Sequence, residues 1–250
     1  MRRNCDIIRL MFEELDYQKT PNGAISLRRR AEPRLDGRVL YEVKLNQEWL
    51  MSSLFTEAEV QLAHLGLSLA QKSIPTDLIV VVGGLGLGYT AAAALENTTV
   101  SELCVIDIMQ PVIDWHRNHL VPLGETLAKD SRCTLTHGDF FAMATREEPG
   151  FSSEMDYPVD AILLDIDHSP SHWLNAGNQS FYSPASLKKM ARKLNPGGVF
   201  GLWSNDPPDA AFQALLDSVF DTTETHDVCF ANPYTNGKSS NTVYVAALNN

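Results

Sequence analysis

The chain has 250 residues, 44% of them hydrophobic, with 31 acidic against 20 basic side chains and a formal net charge of −11. That is enough apolar content to bury the core of one α/β domain with a short extra segment. The basic residues are scattered apart from Arg28 to Arg30, which argues against a nucleic-acid footprint, and the acidic balance suits either a small cationic partner or solubility alone. No apolar run reaches the ~20 residues that span a bilayer. The opening stretch MRRNCDIIRLMFEEL carries acids where a secretory leader needs apolar residues, so a cytoplasmic protein without membrane association is expected. Cys5, Cys104, Cys133 and Cys229 match no zinc or redox spacing and are read as reduced thiols.

In chain order, AISLRRR (24–30) and RVLYEVKL (38–45) alternate as strands do, with Pro33 and Asp36-Gly37 marking a turn between them. They predict a small N-terminal β segment over residues 1–55. A helix follows from about Thr56 to Lys72, with Thr56 as its cap and Glu59 three residues on, the spacing of a capping box. From Asp77 strands and helices alternate. LIVVV (78–82), ELCVID (102–107), CTLTHGD (133–139), VDAILLD (159–165) and VFGLWS (199–204) read as strands. The intervening helices span 87–95, 111–119, a segment opened by Ser183-Pro184 and ended by Asn195-Pro196-Gly197-Gly198, and 208–219. Two last strands, 225–231 and 241–248, form an antiparallel pair, and NPYTNGKSSN (232–241) reads as a mobile loop. The fold class is therefore α/β: a Rossmann-like, doubly wound, mostly parallel seven-stranded sheet over residues 56–250, behind the small β segment.

The chemistry gathers at the ends of the parallel strands. The first runs into GGLGLG (83–88), where bare backbone can take positive φ and a helix N-terminus offers free N–H groups to a nucleotide. The second ends at Asp107, about twenty residues on, where a carboxylate can accept from both ribose hydroxyls. The third ends at Asp139 after His137-Gly138, and the fourth at Asp165-Ile166-Asp167-His168. In an open α/β sheet, ligands bind along that edge. Any one of these acids could be a helix cap. Four strand ends together are harder to dismiss. His116 and His119, three apart on a helix, have no evident third ligand and read as a solvated face; no metal site is expected.

VVVGGLGLGYTA, VIDIMQPVIDW, HGDFFAMA, VDAILLDIDHSP and KLNPGGVFGLWS, in this order and spacing, resemble the class I S-adenosylmethionine-dependent fold, and within it the spermidine-synthase-like proteins. The resemblance covers roughly residues 37–248. It implies a cofactor site of Gly83, Gly84, Leu85, Gly86, Gly88, Asp107, Ile108, Gly138, Asp139, Phe140 and Asp165. In it Asp107 holds the ribose, Asp139 receives the adenine amino group and Phe140 lies beside the ring. Asp165 corresponds to the aspartate that orients and deprotonates the attacking amine, with Asp167 and His168 as further catalytic candidates. His64, Trp173 and Trp203 are candidate substrate contacts. The family habit implies a homodimer.

Four positions depart from the pattern. Gly86 stands where the family's glycine loop carries an aspartate, His168 replaces the second acid of its D-x-x-D motif, and the helix tyrosine and glutamate fall on Ala58 and Val60. Since a buried ammonium needs a counter-charge, these losses favour an S-adenosyl-L-methionine-dependent methyltransferase acting on a small molecule. The alternatives are aminopropyl transfer from decarboxylated S-adenosylmethionine and a non-catalytic nucleotide-binding homologue.

Overall fold

The computed structural model describes residues 12–250; Cys5 lies outside them. The chain opens with an antiparallel meander of β1 (Phe12–Thr20), β2 (Gly23–Glu32), β3 (Arg38–Leu45) and β4 (Glu48–Ser52). Only β2 and β3 are foreshadowed by alternation, because Ile25, Leu27, Leu40 and Val43 are buried whereas β1 and β4 are edge strands with few buried residues. After α1 (Glu57–Ala70) come β5 (Leu78–Gly83), α2 (Tyr89–Glu96), β6 (Val100–Asp107), α3 (Gln110–Arg117), α4 (Gly124–Lys129), β7 (Cys133–His137) and α5 (Phe140–Ala144). The chain continues through β8 (Val159–Leu164), α6 (Pro184–Ala191), β9 (Leu194–Ser204), α7 (Ala210–Asp217), β10 (Thr222–Asn232) and β11 (Gly237–Ala247). The second sheet has seven strands in the order β10-β11-β9-β8-β5-β6-β7. Its five central and outer strands from β9 to β7 are parallel, while β11 and β10 are antiparallel.

The unbroken apolar run of β5 follows from burial on both faces. Leu78, Val80 and Val82 pack into one core with α1, α2 and α3, and Val81 packs into the other with the aromatic residues around α5 and α6. Each such side chain contributes roughly 1.5–3 kcal/mol of burial free energy. Among the described residues no helix is long and apolar enough to cross a membrane.

Three local expectations are corrected. Thr56 precedes α1 but makes no side-chain cap bond, and Glu59 turns inward and is buried, so there is no capping box. The segment 232–241 is not a free loop. It is the tip of the β10–β11 hairpin, with Asn232 paired to Gly237 and the turn between them. Phe55 packs against both Phe230 and Tyr234 (centroids 5.4 and 6.2 Å), and the Tyr234 hydroxyl donates to Glu32 (2.9 Å), fastening the tip to the N-terminal sheet. His116 is not on a solvated face: it is fully buried beneath Gly88, its Nδ1 2.9 Å from the Val112 carbonyl, and no metal-binding cluster occurs among the described residues.

Candidate functional site

The parallel strands stop at one edge, and backbone bonds tie their ends together there. The Gly84 N–H reaches the Ile106 carbonyl (2.9 Å), the Asp165 N–H the Gly83 carbonyl (2.8 Å), and the Gly138 N–H the Asp107 carbonyl (3.0 Å). Above this edge lies a cavity of about 880 Å³, roofed by Ile25, Val43, Leu45 and Met51 of the N-terminal sheet.

The glycine turn is required by its backbone. Gly84 and Gly86 have φ of +94° and +48°, and a Cβ on Gly84 would stand 2.0 Å from the Asp165 carbonyl oxygen. At Gly86 a Cβ would meet the Met51 sulfur at 2.4 Å, so Met51 fills the space into which an aspartate at position 86 would project. Asp107 accepts from the Leu85 N–H (2.9 Å) and the Met109 N–H (2.7 Å), with the Gly86 N–H a weaker third donor. A carboxylate has about four acceptor sites, so capacity remains for a ligand hydroxyl. Burial raises the Asp107 pKa, opposed by those N–H bonds. Asp139 uses one oxygen to cap α5 at the Ala142 N–H (3.1 Å), and its side chain also lines the cavity. Helix cap and cavity wall are thus the same residue. The glycine turn, the Asp107 carboxylate and Asp139 together could hold the nucleoside part of an S-adenosyl cofactor.

At the floor, Asp165 accepts from the Thr90 hydroxyl (2.7 Å) and faces Glu59 of α1. Burial raises both carboxyl groups, Asp165 to about 6 and Glu59 to about 8, the latter also through repulsion by Asp165. An acid pair that shares a proton near neutrality can hold a cation and can accept a proton from it.

Of the sequence candidates, Gly84, Gly86, Asp107, Ile108, Asp139, Phe140, Asp165, His168 and Trp203 line the cavity. Gly83, Leu85, Gly88 and Gly138 do not: Gly83 backs onto the Phe140 ring, Leu85 is buried, Gly88 abuts His116 and Gly138 abuts Met143. Asp167 is buried and turned away from the cavity. It accepts from the Leu174 N–H (2.8 Å), Asn178 (2.8 Å) and the Tyr182 hydroxyl (2.9 Å), and so anchors the loop after β8. Trp173 is outside as well, its indole N–H bonded to the Pro170 carbonyl (2.8 Å). His64 points away from the cavity, 3.8 Å from Glu96 on the surface. His168 stays inside, beside His172 (centroids 4.8 Å). Burial first, then His172, lowers its pKa and leaves it uncharged at neutral pH.

Glu59, Thr90 and Met51 were missed. A signal for Glu59 existed: with Ala63, Gly66 and Ala70 it shares the buried face of α1, and a carboxylate on an apolar helix face is unusual.

The seven-stranded sheet with its N-terminal meander is the fold of spermidine synthases. Among solved structures, the spermidine synthase of Thermotoga maritima superposes with a TM-score of 0.68 at 17% identity, covering 94% of this chain and 72% of that one. A spermidine synthase bound to the transition-state analogue AdoDATO superposes with a TM-score of 0.70, also at 17% identity, covering 94% and 73%. Polyamine aminopropyltransferase 2 of Pseudomonas aeruginosa is 25% identical over 184 residues, 70% of this chain and 46% of that protein. Putrescine N-methyltransferase 3 of Nicotiana tabacum is 28% identical over 127 residues, 51% and 30% of the two chains. The chain spans less than half the length of these curated relatives. No protein-family profile matches it.

These findings correct the expectation of a small-molecule methyltransferase. The two spermidine synthases superpose across 94% of the chain, and the match to the polyamine aminopropyltransferase, over 184 residues, is longer than that to the putrescine N-methyltransferase, over 127. The physical reason lies in α1, which brings Glu59, a carboxylate outside the four departing positions, to the cavity floor.

Proposed function

We propose that the protein transfers an aminopropyl group from decarboxylated S-adenosylmethionine to a small amine. The observation that carries this reading is the Glu59–Asp165 pair, a partly shared negative charge on the cavity floor beside the glycine turn. The cosubstrate supplies a carbon activated by a sulfonium leaving group. Asp107 would hold its ribose, and Asp139 and Phe140 would border its base. The acid pair would draw in the acceptor ammonium, and ionised Asp165 would take one of its protons, freeing the nitrogen lone pair that forms the new C–N bond as the C–S bond breaks. The products are a secondary ammonium and the neutral thioether, with the proton left on Asp165.

The test is release of methylthioadenosine from decarboxylated S-adenosylmethionine across a panel of amines. Asp165→Asn is expected to lower kcat by ~10²–10⁴ while cosubstrate affinity changes less than about threefold, and turnover should rise as pH climbs through about 6. Release of nothing from any amine, or an equal fall in kcat and affinity, would sink the assignment.

A further inference from the structure

The cavity runs across the sheet edge, and its two halves differ in chemistry. Over β5, β6, β7 and β8 it is lined by Asp107, Asp139, Asp165 and, from α1, Glu59. Over β9, β11 and β10 the polar wall is Asn205, Asn232, Ser239, Ser240 and Asn241, set among the rings of Phe55, Trp203 and Phe230. Among the described residues, no carboxylate lines that second half. Asp206 and Glu48 lie near His168 but not on the cavity wall, and His168 is itself uncharged at neutral pH.

The amides there are held in place. Asn241 donates to the Asn205 side-chain oxygen (3.1 Å), and Asn232 donates to Ser239 (2.8 Å) while accepting from the Tyr234 N–H (2.9 Å). Asn241 is itself 8% exposed. Among the described residues, the Asn241 side-chain oxygen and the Ser240 hydroxyl have no hydrogen-bond partner and so remain for a ligand. A wall of fixed amides and hydroxyls pairs well with hydroxyl or amide groups. A second ammonium buried against it would go without a counter-ion.

Resting on the aminopropyl-transfer reading, we infer that the acceptor is a primary amine with one cationic end and an uncharged, hydrogen-bonding far end, and that Asn241 sets this specificity. The cationic end meets Glu59 and Asp165; the far end meets the asparagine and serine wall of β9–β11. An amino alcohol or amino amide has this chemistry, and an α,ω-diamine does not.

The experiment compares 4-aminobutan-1-ol with 1,4-diaminobutane by direct titration into the protein saturated with methylthioadenosine, and in parallel by turnover. The amino alcohol is expected to bind at least tenfold more tightly, and Asn241→Asp, which keeps the side-chain shape, should reverse the order. Asn241→Ser should retain the wild-type order. Tighter binding of the diamine to the wild-type protein, binding of neither amine, or an unchanged ratio in Asn241→Asp would overturn the inference. Selective binding of the amino alcohol without thioether release would uphold the subsite and reject aminopropyl transfer.

Discussion

Asp107 shows how a single side chain can hold the fold together and still line the cavity. Its two oxygens hold the N–H groups of Leu85 and Met109, which fixes the glycine turn against β6 at the cavity edge. Asp107→Ala is therefore expected to weaken nucleoside binding by about 1.5–3 kcal/mol, roughly ten- to 150-fold. Titration of methylthioadenosine measures this, and unchanged affinity would remove Asp107 from the site. Asp107 was legible in the sequence because strand end and spacing coincide. Glu59 was legible only through its place on the apolar face of α1, since a serine or threonine followed three residues later by glutamate has the same spacing whether the glutamate caps the helix or faces the core. Only the tertiary packing of α1 on β8, β9 and β11 decides between the two.

At the scale of elements, the parallel strands could be read from the sequence because burial on both faces leaves continuous apolar runs. The β10–β11 hairpin could not, because its polar tip owes its order to cross-strand register and to Phe55 and Tyr234, contacts that no local pattern records. The link before β8 presents a similar case. Lys193, at the end of α6, is buried and donates to the carbonyls of Glu148 and Gly150 (2.6 and 2.7 Å), pinning a segment with little regular structure. Replacing it with methionine keeps the volume but orphans both carbonyls. Lys193→Met should cost about 1–3 kcal/mol in urea unfolding and expose the 146–157 segment to proteolysis. A variant as stable as wild type would show that water satisfies those carbonyls equally well.

For the molecule as a whole, the acid pair makes the unliganded fold sensitive to alkali. Glu59 and Asp165 have folded pKa values raised to about 8 and about 6, above their values in an unfolded chain. Between roughly pH 4 and 8 the folded state therefore binds more protons than the unfolded state, and stability falls as pH rises through that window. Glu59→Gln should flatten the decline of Tm between pH 5 and 8.5 and raise Tm at the alkaline end. An identical slope in the variant would mean that the pair is already ionised in the free protein. Salt-bridged Glu32 acts in the opposite sense: Arg30 and neighbouring donors hold its pKa down at about 2, so its contribution is present above its unfolded value and is lost in acid.

The hydrogen bond from Tyr234 to Glu32 joins residues 202 positions apart. Nearly the whole chain separates the hairpin tip from the sheet to which it is fastened, so this wall of the cavity closes only after the last strands have paired. During synthesis the strand ends that carry Asp107, Asp139 and Asp165 precede β9–β11, on which α1 and its Glu59 also pack. A ribosome-bound chain ending before β10 would thus carry the acidic strand ends without the asparagine and serine wall opposite them.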